Sequence, residues 1–586
     1  MILQKATGYY EILLEQGKIS PPGWDDGCKV SFGLNLDASG NITDVVPYQQ
    51  TVQVKNGKEK ILTFRNMCVP ARVKRSTAVA ANFLCDASSY ILGIDGKNKP
   101  ERTEECFEAC RNLHRKILKD CKSPAALAML AFFASANPDS IADNSAVKNA
   151  LQDLTKGGNI IFCFNMEPVT KDPEIIQAWE LYHGSDSENA VRGKCLVTGK
   201  EDTIARLHPA IGGIYGAQSS GASLVSFNSP SSESYGHIQG ENAPVGEYAA
   251  FAYTAALKYL VSDPNHCRRI GDMTVVCWAD GKENSCHDLG MAALFGPSKG
   301  LDENVLSAAL SKIAKGEPCE WDGANVNPDE HFYLLGISPN AARLSVRFFF
   351  EDSFGKFAEN ISRHCQDVAI VRPAYDNTEN LPIWKLLKET LNPKSKTEEV
   401  PSQMAEDVLK AVLYGTPYPT PLLNKVMIRI RAEQNVTRGK AAIIKAYYLR
   451  HPDDGCPMEA LHMELNRECT DTAYALGRMF SVYEQVQKAA KPDIKATIKD
   501  RYFISASSMP ATIFPMLGNL SQSHFRLLQR DKKGLAVKYE KELEELAVMI
   551  GAEYPARLSL AQQGSFQLGY YFETQALYTK KEKENV

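Results

Sequence analysis

The chain has 586 residues, a net charge of −4, and 23% charged and 44% hydrophobic residues, ordinary values for a globular protein. That length exceeds what one core organises, so two to four domains are expected. The acidic balance excludes a uniformly basic nucleic-acid binder, and any polyanion site must be a local patch. No apolar run reaches membrane-spanning length. The opening MILQKATGYYEILLEQ places Glu11 and Glu15 where a signal peptide carries its apolar core, so a cytoplasmic protein is expected. The 15 cysteines then read as reduced thiols. Cys106, Cys110 and His114 fall at i, i+4 and i+8 on one helix face. Zinc needs a fourth ligand and the chain has no CxxC pair, so they read as buried packing groups, and no metal or cofactor is expected.

Residues 1–17 carry Ile2, Leu3, Tyr9, Tyr10, Ile12 and Leu13 near helical spacing and predict an amphipathic helix. Pro21-Pro22-Gly23 breaks it. KVSFGLNLD and TVQVKNGKEKILTF read as strands, the second a hairpin around Asn56-Gly57. In VPARVKRSTAVAANFLCD, Arg72, Lys74 and Arg75 cluster directly before Ser76 and Thr77. A basic hairpin edge leading into a helix N-terminus can grip phosphate with side chains and backbone N–H groups. Asn82 offers an amide to a base edge. A solvated basic turn, with Asn82 bonding locally, is the plain alternative. Residues 101–155 predict helices and GNIIFCFNM a buried strand. GKCLVTGKED fails as a phosphate loop. Five residues rather than four separate Gly193 from Gly199, and Glu201 stands where Ser or Thr must bind magnesium.

From Ile211 to Gln239 the chain is almost all small or uncharged polar residues, and after Pro244 Ala, Phe, Tyr and Leu recur at helical spacing. Gln218, Ser219, Ser220, Asn228 and Gln239 supply neutral donors and acceptors, and the glycines let another molecule come close. Such a loop suits a polyanion or base edges better than an apolar metabolite. MTVVCWAD is a strand. HFYLLGISPNAARLSVRFFFED holds two more around Pro339-Asn340-Ala341, with Arg343 and Arg347 evenly spaced on one face.

Pro393, Pro401 and mixed charge mark residues 391–402 as a linker. Beyond it, segments with apolar faces at helical spacing describe a bundle. The expected fold is therefore α+β: a mixed α/β region over 1–390 with an antiparallel sheet and a long polar loop, then an all-α helical bundle over 403–586. Near its start, Lys425, Arg429, Arg431, Arg438, Lys440, Lys445 and Arg450 face the single acid Glu433. In an acidic chain this run is the strongest physical pointer to a polyanion, with Arg429, Arg431, Arg438, Lys440 and Lys445 as candidate phosphate contacts.

No catalytic constellation emerges. GAQSSG lacks the G-x-S-x-G spacing, although Ser219 with His208 or His237 is a conceivable hydrolase pair. Carboxylates for a nuclease are scattered, and no GxGxxG follows a strand.

Four blocks carry a resemblance: GAQSSGASLVSFN with SYG and NAPVGEYAAFAYTAAL, NFLCDASSYILG, FYLLGISPNAARLSVRFF, and RGKAAIIKAYYLR. Together they resemble the large subunit of the type I-C (Dvulg subtype) CRISPR Cascade surveillance complex, over nearly the whole chain. The resemblance implies a non-catalytic subunit that recognises the motif beside the target in duplex DNA, promotes R-loop formation and holds the displaced strand. In such systems guide pairing reads the rest of the sequence. It implies as partners a crRNA-containing complex with backbone subunits and a crRNA-processing subunit, target double-stranded DNA, and a helicase-nuclease that cleaves. It further implies that the C-terminal bundle is also made separately as a small helical subunit, for which Met463, or else Met458, is a plausible internal start.

Overall fold

The computed structural model describes residues 2–584, apart from 49, 55–57, 74, 76, 77, 97, 98, 185–189, 228, 282–284, 297–302, 318, 322 and 377. The chain divides into two compact units: Leu3–Pro209 with Phe227–Ala256, and Ala210–Ser226 with Leu257–Val586. The polar stretch that begins at Ile211 is thus shared between them.

The first unit is organised by the strand Trp24–Leu36. It pairs antiparallel with Ile42–Pro47 and Arg65–Pro70, and parallel with Asn159–Phe164. The expected antiparallel sheet therefore contains one parallel pair. A parallel neighbour requires a crossover of about a dozen residues or more. The helices Pro100–Leu118, Pro124–Ser135 and Ser145–Lys156 supply it. Their starts are written locally: Ser123 accepts the N–H of Ala126, and Asn144 those of Ala146 and Val147. The expected helix near the N-terminus spans Ile2–Glu15. Gln50–Val54 and Lys58–Leu62 pair as the expected hairpin, and its turn residues Asn56 and Gly57 lie outside the described residues.

His114 is fully buried in this unit's core. A backbone N–H can only donate, so the 3.0 Å bond from Leu84 N–H makes Nε2 the acceptor. The ring proton is then on Nδ1, donated to the Cys110 carbonyl at 2.8 Å. The bond from Leu84 also holds that residue in a left-handed conformation, φ 61°. Both ring nitrogens are committed to the backbone, so the Cys106–Cys110–His114 face packs the core.

In the second unit, Cys267–Ile270, Met273–Ala279, His331–Asn340 and Arg343–Ser353 form a four-stranded antiparallel sheet in that order. Met273–Ala279 is buried along its whole length. The last two strands turn at Ala341, where φ is 53°. Helices follow, from Phe354–Val368 to Leu560–Glu584; those from Ser402–Leu413 onward are the expected ones, whereas Phe354–Val368 and Ile383–Lys388 lie ahead of the region that predicts a bundle. Segment 391–402 lies within this unit, and one apolar core runs from Met273 in the sheet to Leu577 in the last helix.

The bundle is centred on Thr472–Ala490, which packs on Leu560–Glu584, Pro510–Asp531 and Lys533–Ile550. Two glycines set the closest approach. A Cβ on Gly477 would stand 2.0 Å from the Phe566 carbonyl, and one on Gly569 2.2 Å from that of Tyr474. Beside this contact, the buried Arg478 bonds Glu573 at 2.9 Å and Glu542 at 3.2 Å.

Burial pushes His114 down to about 4 and His364 to about 3. The unfolded chain binds these protons near 6.5, so between 6.5 and 4 the unfolded state holds more protons and stability is lost as the pH falls. Each histidine should contribute a slope of about 1.4 kcal/mol per pH unit in that window. Denaturant melts from pH 4.5 to 7 should show it, with a shallower slope in His114→Gln. An unchanged slope would mean that His114 contributes nothing to the acid sensitivity.

Candidate nucleic-acid interface

The basic turn leaves the strand Arg65–Pro70 and reaches the short strand Cys85–Ala87 before the helix Ser88–Ile91 begins. The helix N-terminus expected after Ser76 and Thr77 therefore lies further along; those two residues and Lys74 are outside the described residues. Arg75 is not a free cation. Both of its terminal nitrogens bond the Asp86 carboxylate, and its guanidinium lies 4.0 Å from the centroid of the Tyr90 ring. Asp86 is 2% exposed and also accepts the N–H groups of Asn82 and Ala87, each at 2.8 Å. Asn82 is buried, and its side-chain oxygen accepts the Val73 N–H at 2.9 Å. Arg75 and Asn82 thus meet around one carboxylate and shape the turn. Arg72 is the more accessible cation. Its side chain is 37% exposed and paired with Asp25 at 2.8 Å.

In the second unit, Ile211 and Ala222 bridge each other with backbone bonds of 2.9 and 3.0 Å, closing a loop between them. At its tip Gln218, Ser219 and Ser220 are exposed, and the Gly221 N–H donates to the Gln218 carbonyl at 2.8 Å. The loop base is fixed to the last hairpin. The Ser223 N–H donates to the Ala342 carbonyl and the Leu344 N–H to that of Ser223, each at 3.0 Å. Arg343 is exposed next to this joint. Tyr215, also on the loop, carries the Arg269 guanidinium 3.1 Å from its ring centroid.

Gln239 belongs to the first unit, and Asn228 lies outside the described residues. Gln239 sits at φ 48°, with its side-chain oxygen buried and without a partner among the described residues. Asn242 organises the turn before it, accepting the Ser234 N–H and donating to the carbonyls of His237 and Gln239. Tyr235 crowns that turn, 98% exposed. Both residues fall in the SYG and NAPVGEYAAFAYTAAL blocks that carry the resemblance, but the sequence alone assigned neither a role at the site.

The basic run resolves differently from an exposed stripe. Lys440 and Lys445 are 1% and 3% exposed, and Arg438 is also buried. Glu433 is shared by Arg429, at 2.7 Å, and Lys440. Arg438 bonds Asp376 at 3.0 Å and the Thr378 and Glu379 carbonyls. Lys445 donates to the carbonyls of Gln366 and Asp367 at the C-terminal end of Phe354–Val368, where the helix dipole favours a cation. Burial nevertheless pushes it down to about 8. Arg450 bonds Asp367 and the Ala411 and Thr416 carbonyls. Apart from Glu433, these acceptors lie outside the 425–450 window, which is why the run looks unpaired in sequence. Lys425 and Arg431 keep exposed side chains, and Arg431 bonds Gln563 at 2.7 Å.

Residues 7–578 match a family of CRISPR-associated proteins, Cas_Csd1. The chain belongs to that family. No curated protein matches it.

Within this Cas_Csd1 chain, the histidines considered beside Ser219 have their own surroundings in the first unit. His208 is buried, bonds the Tyr253 hydroxyl at 2.7 Å through Nδ1, and is pushed down to about 4 by burial. His237 is exposed, 3.8 Å from Glu241. Among the described residues no helix is long and apolar enough to cross a membrane, and no group of three or more His, Cys, Asp or Glu side chains could hold a metal ion.

Removing the Asp86 charge separates framework from contact. Asp86→Asn should destabilise the protein by about 3 kcal/mol, because it strands a largely buried guanidinium. Arg72→Ala should cost about 1 kcal/mol or less. Denaturant titration of both variants checks this. Equal losses would mean that the Asp25 pair holds the turn as firmly as Asp86.

Proposed function

We propose that this chain is the non-catalytic large subunit of a type I-C RNA-guided CRISPR complex. In this reading it recognises the motif beside the target in duplex DNA, promotes R-loop formation and holds the displaced strand. The match to a CRISPR-associated family over residues 7–578 is the observation that carries the reading. Cleavage falls to a recruited helicase-nuclease and guide processing to another subunit.

Geometry ranks the candidate residues. A group that already satisfies a buried partner cannot leave it for DNA without stranding that partner. Arg72 and the exposed Gln218–Ser220 tip are therefore the proposed duplex contacts, joined by Lys74 on the strength of the sequence alone. The cations position the backbone, and the amide and hydroxyls test base edges. Arg75 and Asn82 shape the turn that presents Arg72. In the bundle, Lys425 and Arg431 are the members of the basic run left for the phosphates of the displaced strand. Arg429, Arg438, Lys440 and Lys445 hold the scaffold.

Binding of the guide-loaded complex to matched duplex and to single-stranded target, at fixed salt, tests this. Arg72→Ala with Lys74→Ala should weaken duplex binding roughly tenfold and leave the single-stranded target nearly unchanged. Equal loss on both targets would place these residues outside duplex reading.

The separately made bundle is part of the same reading. Met458 and Met463 are both exposed, ahead of the helix Thr472–Ala490. The helices from there onward pack on one another, which supports this reading. Intact-mass analysis of the purified complex should find a fragment beginning at Met463 or Met458, and finding none would remove the idea.

A further inference from the structure

Two neighbouring cavities of about 290 and 320 Å³ open in the second unit and share the wall formed by Pro373, Tyr375, Thr437 and Arg438. The first is lined by Tyr375, Arg438, Lys488, Lys499, Tyr570 and Tyr578, among others, and its lining includes no carboxylate side chain. The second adds Lys385 and Lys388, with the carboxylates of Asp376 and Glu389.

The cations here are unequally engaged. Arg438 is held by Asp376, and Lys488 by Glu484 at 2.7 Å. Lys499 donates to the neutral Asn435 side chain at 2.8 Å and lies 5.4 Å from the centroid of the Tyr570 ring. Among the described residues it has no carboxylate at ion-pair distance. Burial lowers its pKa, and the nearby Lys488 and Lys440 charges push the same way against Glu484 and Asp500. An anion placed against it would relieve that repulsion. The same cavity meets the start of Arg438–Leu449, a 12-residue helix capped by Thr437, whose first N–H groups have no intrahelical acceptor. At the mouth stand exposed tyrosines, Tyr375 at 88% and Tyr578 at 44%.

A charged floor beneath exposed aromatic rings selects a ligand with an anion at one end and a flat ring at the other. Carboxylate-lined or purely apolar pockets do not do this. We propose that this cavity binds a single nucleotide unit, its phosphate against Lys499 and the start of Arg438–Leu449 and its base stacked on Tyr375. The chemistry is the same for a free nucleotide and for a nucleotide within a strand. It does not depend on the duplex-reading role proposed above, because none of the residues assigned there lines the cavity.

Calorimetry on the full chain with adenosine monophosphate, with inorganic phosphate, with adenosine, and with a short single-stranded oligonucleotide separates the cases. The monophosphate or the oligonucleotide should bind, and Lys499→Gln and Tyr375→Ala should each weaken that binding about tenfold or more. Tyr375 is too exposed for its loss to unfold the chain, so that variant reads the site even if Lys499→Gln perturbs the helices. Lys541→Gln, an exposed cation on Lys533–Ile550 outside the cavity, should leave binding within about twofold. Binding by the monophosphate, displaced by the oligonucleotide, assigns a site open to free nucleotides. Binding by the oligonucleotide alone, still sensitive to Tyr375→Ala, assigns a strand nucleotide. No binding by either, or equal weakening by Lys541→Gln, overturns the proposal.

Discussion

A cation that leaves water must find its acceptors inside the protein, because an unpaired buried charge costs several kcal/mol. That constraint arranges the second unit. Lys440, Lys445, Arg438 and Arg450 are buried in or beside one helix, Arg438–Leu449, and each reaches out of it. Glu433 anchors the preceding helix and Asp376 the segment before Ile383–Lys388, while Asp367 and its carbonyl fix the end of Phe354–Val368. The bonds run from one helix to several neighbours, so they set where those neighbours lie. Apolar packing alone would fix distances but leave helices freer to slide. Here, sliding would strip a charge of its partner.

The same logic governs the deeper bundle. Arg478 is 1% exposed and Glu573 fully buried, so neither can be satisfied by solvent. Burial raises the Glu573 pKa, and the Arg478 charge opposes that rise. The pair is tolerable because Gly477 and Gly569 let the two helices approach until the guanidinium reaches the carboxylate. Without those glycines the backbones would stand apart, and the ion pair would lengthen into a pair of stranded charges. Close approach and charge satisfaction are therefore one device, and it lies wholly within the helices that follow Met463.

Much of the fold could be read from local pattern. The strands in MTVVCWAD and HFYLLGISPN, the helices with Ser, Asn or Thr before them, and the hairpin of residues 50–62 follow from periodicity and capping, which act within a few residues. The parallel pairing of Trp24–Leu36 with Asn159–Phe164 is a relation across more than a hundred residues and leaves no local mark. The candidate sites split in the same way. The exposed Gln218–Ser220 tip is local, since small polar residues between two bridged positions have nothing to bury. Arg75 and most of the 425–450 cations resemble surface groups in sequence because their acceptors are distant along the chain. A count of charges in a window cannot see Asp86 from Arg75, nor Asp367 from Arg450.

Satisfaction also indicates where function can reside. Residues with full internal obligations are poorly suited to exchange partners with a ligand, because every bond made outside is offset by one broken within. What remains are groups presented to solvent by firmly held chain: Arg72 on a turn braced by Asp86, Gln218–Ser220 on a loop bolted to a β-hairpin, and Tyr235 on a turn gathered by Asn242. In each case the presenting backbone is held by hydrogen bonds set back from the tip, and the presented side chain keeps a face toward solvent. Such tips meet a partner with little ordering left to do. The buried carboxylate and the turn amide that look incidental in sequence are thus what would let the exposed residues act.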